Sequence, residues 1–135
     1  MSLLFRTGPA LTIPISLDAS EHFRLLADFA PSSLLIYPNA LAALIQLLEA
    51  TGGKLERLRF LRSIGEALSP ATRQAARAVL GLEPADAYSS QELGYIALQC
   101  PESGMYHVMS ETMIVEVVDD HGMPCRPGEI GRILV

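Results

Sequence analysis

The order of apolar and polar residues predicts alternating helices and strands in the first two thirds of the chain. Glu21–Phe29 carries apolar side chains at helical spacing, with Ser20 as a candidate N-cap. The apolar run Ser33–Tyr37 lies between two prolines, which favours a short strand buried on both faces. A second helix is expected to begin at an Asn39 cap and to end at Gly52-Gly53.

The same alternation then repeats. Phe60–Ile64 is a second apolar run, and the helix after it has Ser69 at its N-cap, Pro70 in its first position and Gly81 past its end. Ala85–Tyr88 is a third short strand candidate. Strands that alternate with helices indicate a parallel sheet.

From Tyr95 onward the pattern changes to β-structure. Asp119–Gly122 is typical of a hairpin turn. Four further strands are predicted: Tyr95–Gln99, Met105–Met109, Met113–Val118 and Ile130–Val135. The predicted fold class is therefore α/β, with an alternating parallel-strand and helix layer over about residues 20–94 and a β-rich antiparallel part over about residues 95–135.

Composition supports one domain with a large core. The chain has 135 residues, of which 50% are hydrophobic and 19% are charged, and this excludes a disordered tail. Phe29–Leu48 carries no charge and is long enough to cross a bilayer, but Pro31 and Pro38 divide it into a strand and a helix. Arg6 and the break at Gly8-Pro9 argue against a signal peptide, so a cytoplasmic location without membrane contact is expected.

The charge distribution excludes nucleic acid as a partner. The formal net charge is −5, and the basic residues are nine arginines and Lys54 without a basic stripe. Arg57, Arg59 and Arg62 are expected to form a solvated face. Two cysteines are too few for a disulfide framework and fit a reducing compartment.

Two polar clusters are the candidates for chemistry. Gly65–Ala67 follows the second predicted strand, and Tyr88–Glu92 follows the third. Ligands of parallel α/β sheets bind beyond the carboxyl ends of the strands, so neighbouring strands would place both clusters at one crevice. The ring, hydroxyls, amide and carboxylate of the second cluster could stack a base, donate to phosphate and hold Mg²⁺.

Structural explanations exist for the same residues. Glu66 could lie in the first turns that lead to the Ser69 helix. Asp86 could cap a turn, and Tyr88 could be a core aromatic residue with a bonded hydroxyl.

Five motifs, in order, resemble the AMP-forming adenylating enzymes, and most closely their phenylacetate-CoA ligase-like branch. Tyr37–Leu41 is similar to the Tyr-Pro-Ser-x-Leu segment of that branch, Gly65–Leu68 to its Gly-Glu-x-Leu, and Tyr88–Glu92 to the Tyr-Gly-x-Thr-Glu motif of the superfamily. Met105–Val118 and Gly122–Arg132 resemble the stretch that follows. Ser89 and Gln91 depart from the usual Gly and Thr or Ser.

The resemblance implies a role for each matched residue. Glu92 would be the catalytic residue, because it would coordinate Mg²⁺. The residues implied in ATP or AMP binding are Gly65, Glu66, Ala67, Asp86, Ala87, Tyr88 and Gln91. Within that set Asp86 would reach the adenine amino group, Tyr88 would stack on the base and Gln91 would lie by the phosphates. The residues implied in the acyl pocket are Ile64, Leu93, Gly94 and Tyr95.

The implied activity is ATP-dependent ligation of a carboxylic acid to CoA through an acyl adenylate, with an aromatic acid such as phenylacetate as substrate. The phosphate-binding loop, the ribose-binding Asp and the lysine-bearing C-terminal domain of such enzymes are not in this sequence. Arg132–Val135 ends within a predicted strand. These features predict a single segment, residues 1–135, of a longer adenylation domain, inactive alone and prone to self-association or homodimer formation. The alternative is a non-catalytic binding or assembly module that retains the same core.

Cys100 and His107 are a candidate zinc half-site. Their loose spacing alone favours a core thiol and a surface imidazole. The resemblance implies that they would join a downstream Cys-x-Cys pair, which this sequence lacks. The expected half-site is then either empty or completed by Cys125 or by a neighbouring chain.

Overall fold

A computed structural model describes residues 8–135. The interpretation of the N-terminus that depended on Arg6 lies outside these residues. The helices are α1 (Ala19–Phe29), α2 (Pro38–Thr51) and α3 (Pro70–Leu80). The strands are β1 (Ser33–Ile36), β2 (Phe60–Ile64), β3 (Ala85–Ser90), β4 (Gly94–Gln99), β5 (Tyr106–Val108), β6 (Glu116–Val118) and β7 (Arg132–Leu134).

The strands form one five-stranded sheet, in the order β1-β2-β3-β4-β5, and one two-stranded sheet of β6 and β7. Strands β1, β2 and β3 are parallel, whereas β4 and β5 join as antiparallel strands. The predicted fold class, a parallel strand-and-helix layer followed by an antiparallel part, is confirmed. Strand β3 is the boundary, because it has a parallel partner on one side and an antiparallel partner on the other.

Two predicted helix caps are wrong, and the other predicted helix ends are confirmed. Asp18, not Ser20, caps α1, because its Oδ1 accepts a hydrogen bond from the Glu21 N–H at 2.9 Å. Helix α2 begins at Pro38, one residue before the predicted Asn39 cap, because proline has no N–H to satisfy at this position. Ser69 caps α3 through the Thr72 N–H as predicted, and Gly52 and Gly81 end their helices in the left-handed conformation.

The core lies between the helices and one face of the sheet. Leu41, Leu44, Ile45 and Leu48 of α2 are buried against Leu61 of β2. The other face is bare over β1 and β2. Leu35 of β1 is 49% exposed and Phe60 of β2 is 71% exposed, so the prediction that the first strand is buried on both faces is wrong. No segment among the described residues covers this side of β1 and β2.

The second sheet carries the predicted hairpin turn. The Gly122 N–H donates to the Asp119 carbonyl at 3.1 Å, which closes a turn over Asp119–Gly122, and Val118 bridges to Pro124. In the described part of the chain, no helix combines the length and apolar character that crossing a bilayer requires. The side chains of Arg57, Arg59 and Arg62 are exposed, as the prediction of a solvated face requires.

Candidate functional site

The Gly65–Ala67 loop begins where β2 ends and is fixed against the start of α2. Gly65 has φ +82°, and a Cβ built on it would lie 2.6 Å from Cε1 of Tyr37. Only glycine therefore allows the tyrosine ring to lie against the backbone here. Glu66 Oε2 accepts a hydrogen bond from the Asn39 N–H at 3.1 Å. The carboxylate thus satisfies a free N–H in the first turn of α2, where the helix dipole favours negative charge.

This contact adds to the structural explanation of Glu66. Glu66 does lie in the segment that leads to the Ser69 helix, but its carboxylate bonds to the preceding helix, 27 residues away. The bridge holds the Gly65–Ala67 loop at the carboxyl edge of the sheet.

Asp86 lies on the helix-covered face of β3 and is bonded through both carboxylate oxygens. The Ser63 hydroxyl donates to Oδ1 at 2.6 Å, and the Tyr106 hydroxyl donates to Oδ2 at 2.6 Å. Desolvation, with the Asp86 carboxylate as the next cause, raises the pKa of Tyr106 to about 12. The Tyr106 phenol therefore remains a hydrogen-bond donor at neutral pH. Asp86 does not cap a turn.

The prediction that Tyr88–Glu92 forms a loop after the third strand is wrong, because β3 continues through Ser90. Ile64 pairs with Ala87 as the last residues of the β2–β3 ladder, and Tyr88–Ser90 extend the strand by three residues, roughly 10 Å. They pair with β4 across a register shift at Tyr88/Ser89. The local cause is the turn at Gln91–Leu93, where the Ser90 hydroxyl accepts the Leu93 N–H at 3.1 Å.

The two polar clusters lie at the same edge of the sheet, because β2 and β3 are parallel neighbours. The hairpin extends past the end of β2 and exposes Gln91 and Glu92 at its tip. Glu92 is not among the carboxylates that pair with arginine within residues 8–135. Its oxygens are free to bind a hard cation, which usually takes one or two protein carboxylates together with substrate phosphates.

Tyr88 is 41% exposed, so it is not the buried core aromatic residue of the structural explanation. Its side chain lies on the same face of β3 as that of Asp86, which is two residues earlier in the strand. The ring is accessible to a planar ligand next to the Asp86 carboxylate. The small buried Ala87 faces the opposite side.

The four predicted acyl-pocket residues do not meet in one cavity. Ile64 lines a cavity of about 590 Å³ beside β1 and α1, together with Tyr37. Tyr95 lines a second cavity of about 570 Å³ on the bare face of the sheet, with Leu35 and Phe60. Leu93 is 48% exposed beside Gly94 at the hairpin turn. The described residues thus supply separate walls and not an enclosed pocket.

Cys100 and His107 are close together, but the described residues contain no group of three or more potential metal ligands. Cys125 therefore does not complete the half-site. It lies in the second sheet, where its N–H donates to the Val117 carbonyl at 2.8 Å. Two ligands do not satisfy the four positions of a structural zinc ion, so the described residues do not fit that metal.

The two thiols have opposite surroundings. Hydrogen bonds from the Ser103 hydroxyl, the Ser103 backbone and the His107 ring lower the pKa of Cys100 to about 6. Partial burial raises the pKa of the Cys125 thiol, and the carboxylates of Glu129 and Asp119 add to this effect.

Sequence reasoning missed Ser63, Gln99 and Tyr106 as part of the site. Gln99 Oε1 accepts from the Asp86 N–H at 3.1 Å and from Arg73 Nη2 at 3.0 Å. One signal was present: Ser63 is a polar residue two positions after Leu61, at a position that alternation places on the same face of the strand, and a completely buried hydroxyl requires a partner. Nothing in the sequence pointed to Tyr106 as the second donor.

Comparison with known proteins finds similarity of fold to CoA ligases. No protein-family model matches the chain. Pseudomonine synthase PmsE of Pseudomonas entomophila is 21% identical over 96% of this chain and 22% of its own length. The solved structure of the anthranilate CoA ligase AuaEII in complex with anthranoyl-AMP has a TM-score of 0.73 and 26% identity, covering 85% of this chain and 23% of the ligase.

An acyl-CoA synthetase of Brucella canis has a TM-score of 0.71 and 27% identity, covering 87% of this chain and 23% of the synthetase. The chain thus has the fold of part of an acyl-CoA synthetase. It spans less than a quarter of the length of each of these three proteins.

Proposed function

We propose that this chain is a segment of an ATP-dependent acid–CoA ligase, which converts a carboxylic acid to an acyl adenylate and pyrophosphate and then to an acyl-CoA thioester. The observation that carries the proposal is the meeting of Gly65–Ala67, Tyr88 and Glu92 at one edge of the sheet, in a fold shared with CoA ligases. The 135-residue chain alone is proposed to be inactive. Cytoplasmic location is part of the proposal.

Several of the described residues offer contacts to different parts of a bound nucleotide. The exposed Tyr88 ring offers a stacking surface for the base, and the Asp86 carboxylate offers acceptors for an amino group. The Gln91 amide at the hairpin tip can donate to a phosphate oxygen in place of the usual hydroxyl. Glu92 would hold Mg²⁺, which when bound offsets phosphate charge.

An aromatic acid is the proposed substrate class. The motifs at Tyr37–Leu41 and Gly65–Leu68 resemble the phenylacetate-CoA ligase branch, and one structural neighbour acts on anthranilate. Tyr37 and Ile64 supply an aromatic and an aliphatic wall at the carboxyl edge of β1 and β2.

The test is carboxylate-dependent ATP–pyrophosphate exchange by the protein that carries this chain, at its natural length, over a panel of aromatic and aliphatic acids. Glu92→Gln removes the charge but keeps the size of the side chain, so exchange should fall by at least about a hundredfold, the scale of losing one electrostatic contact to the reacting groups. Glu49→Gln is the matched control, because Glu49 is exposed near the end of α2, at the edge of the sheet away from the site.

Retained exchange in Glu49→Gln together with the loss in Glu92→Gln supports the proposal. An unchanged rate in Glu92→Gln would remove Glu92 from the mechanism. Absence of exchange with every acid in the wild-type protein would overturn the ligase function.

A further inference from the structure

The carboxylate of Asp86 is held from two sides by hydroxyl groups of other strands. Ser63 of β2 donates to one oxygen and Tyr106 of β5 donates to the other, each at 2.6 Å. We propose that Tyr106 is a positioning residue for nucleotide selection, which orients the Asp86 carboxylate toward the amino group of the adenine base. This inference rests on the proposed function, because it assumes that Asp86 faces the base of ATP.

The chemistry of the carboxylate explains why orientation matters. An ionised carboxylate only accepts hydrogen bonds, so it matches the amino group of adenine and repels the carbonyl oxygen at the same position of guanine or hypoxanthine. Each carboxylate oxygen can accept more than one hydrogen bond. The two hydroxyl donors therefore fix the plane of the carboxylate and leave acceptor capacity for the ligand.

Ser63 alone does not fix the carboxylate. A single hydrogen bond to Oδ1 leaves the group free to turn about its Cβ–Cγ bond, since this torsion has a broad energy minimum. The Tyr106 hydroxyl on Oδ2 supplies the second point that restrains this rotation.

The frame around Tyr106 is held by Gln99 of the intervening strand. Gln99 Oε1 accepts from the Asp86 N–H, and its Nε2 donates to the Gly104 carbonyl at 2.9 Å. The same amide thus holds both the backbone of Asp86 and the turn that precedes Tyr106. Arg73 anchors this amide from α3 through Nη2 at 3.0 Å.

Because the contacts of Gln99 and Arg73 do not involve the Tyr106 hydroxyl, removing this hydroxyl tests its role alone. Tyr106 is 45% exposed, and its strand pairs with β4 through the backbone, so Tyr106→Phe keeps the ring and the pairing. Only the donor to Oδ2 is lost.

The experiment measures the dissociation constants of two nucleotides by calorimetry, on the protein that carries this chain at its natural length. One nucleotide is ATP, and the other is the ATP analogue whose purine has hydrogen in place of the amino group. Tyr106→Phe is expected to weaken ATP binding about tenfold, the scale of one lost hydrogen bond to a charged group. Binding of the analogue should not change, because it has no amino group to meet Asp86.

Two further variants serve as controls. Ser63→Ala removes the other hydroxyl and is expected to reduce the preference for ATP over the analogue in the same direction. Thr112→Val removes an exposed hydroxyl that bonds only to the Met109 carbonyl nearby, and the preference should remain at its wild-type value.

The possible outcomes distinguish a failure of this inference from a failure of the proposed function. Equal weakening of both nucleotides in Tyr106→Phe assigns the residue a general structural role and overturns the inference, as does an unchanged preference for ATP. A wild-type protein that binds neither nucleotide overturns the proposed function itself.

Discussion

Gly65 is the residue whose identity the candidate site constrains most directly. Its φ of +82° is costly for any residue with a Cβ, and its Cα faces the Tyr37 ring. Gly65→Ala should lower the free energy of unfolding by more than about 2 kcal/mol, because the left-handed conformation alone costs roughly 1–2 kcal/mol. Urea denaturation followed by circular dichroism measures this loss.

Gly81→Ala is the matched control. Gly81 has φ +66°, but a Cβ added to it would meet no atom within 4 Å, so only the conformational cost applies. Equal losses in the two variants would show that Tyr37 moves away freely and would contradict the close packing described for the loop.

Cys100 should react as a thiolate near neutral pH. Its pKa of about 6 means that alkylation by iodoacetamide should increase up to about pH 7 and then level off. Cys125, whose pKa is raised, should react more slowly at about pH 7 and continue to accelerate in the alkaline range. Mass spectrometry of the two cysteine peptides at a series of pH values measures both rates in one sample.

Ser103→Ala should move the midpoint for Cys100 upward, because the Ser103 hydroxyl is the largest cause of the lowered pKa. Identical pH profiles for Cys100 and Cys125 would contradict the hydrogen-bonded environment of the Cys100 thiol.

At the residue scale, the sequence predicts a functional cluster only where its residues are adjacent in the chain. The residues of each cluster, Gly65-Glu66 and Tyr88–Glu92, are adjacent in the sequence, so both polar clusters could be identified from it. The bond from Tyr106 to Asp86 spans 20 residues and depends on the register of three strands, which hydrophobic spacing does not encode. The same holds for the bridge from Glu66 to α2.

At the scale of elements, helix α1 has two possible N-caps, Asp18 and Ser20, and substitutions can distinguish them. Asp18→Ala should lower the free energy of unfolding by about 1 kcal/mol, because the Glu21 N–H loses its acceptor. Ser20→Ala should be neutral or stabilising by roughly a few tenths of a kcal/mol, since Ser20 lies inside the helix and alanine has the higher helix propensity. Thermal unfolding of the two variants makes the comparison, and a larger loss for Ser20→Ala would favour Ser20 as the cap.

The two helix ends at Gly52 and Gly81 were predictable because a left-handed glycine stops a helix by local geometry. The end of β3 was not, because Ser89 and Ser90 have weak strand preference. They extend the strand only by pairing with Tyr95 and Gly94 of β4. Tertiary pairing thus overrides the local preference at the hairpin that carries Glu92.

At the scale of the whole molecule, the bare face of the sheet predicts self-association of the 135-residue chain. Parallel sheets are normally covered on both faces, yet Leu35 and Phe60 are exposed here. Sedimentation velocity should show a mass above that of the monomer that increases with protein concentration. Phe60→Lys should shift the chain toward the monomer, whereas Gln46→Lys, the same charge change on an exposed position of α2, should not. A monomer at every concentration would contradict this prediction.

Strand β3 also determines the order in which the candidate site can assemble during folding. Its antiparallel partner β4 follows after a three-residue turn, whereas its parallel partner β2 is separated from it by α3. A hairpin closes within roughly 1–10 μs, but parallel pairing must first overcome the entropy of closing a long connection. The strand pair that carries Tyr88 and Glu92 is therefore expected to form before the Gly65–Ala67 loop joins it, so the edge that would receive a nucleotide is complete only after a slower, parallel pairing is made.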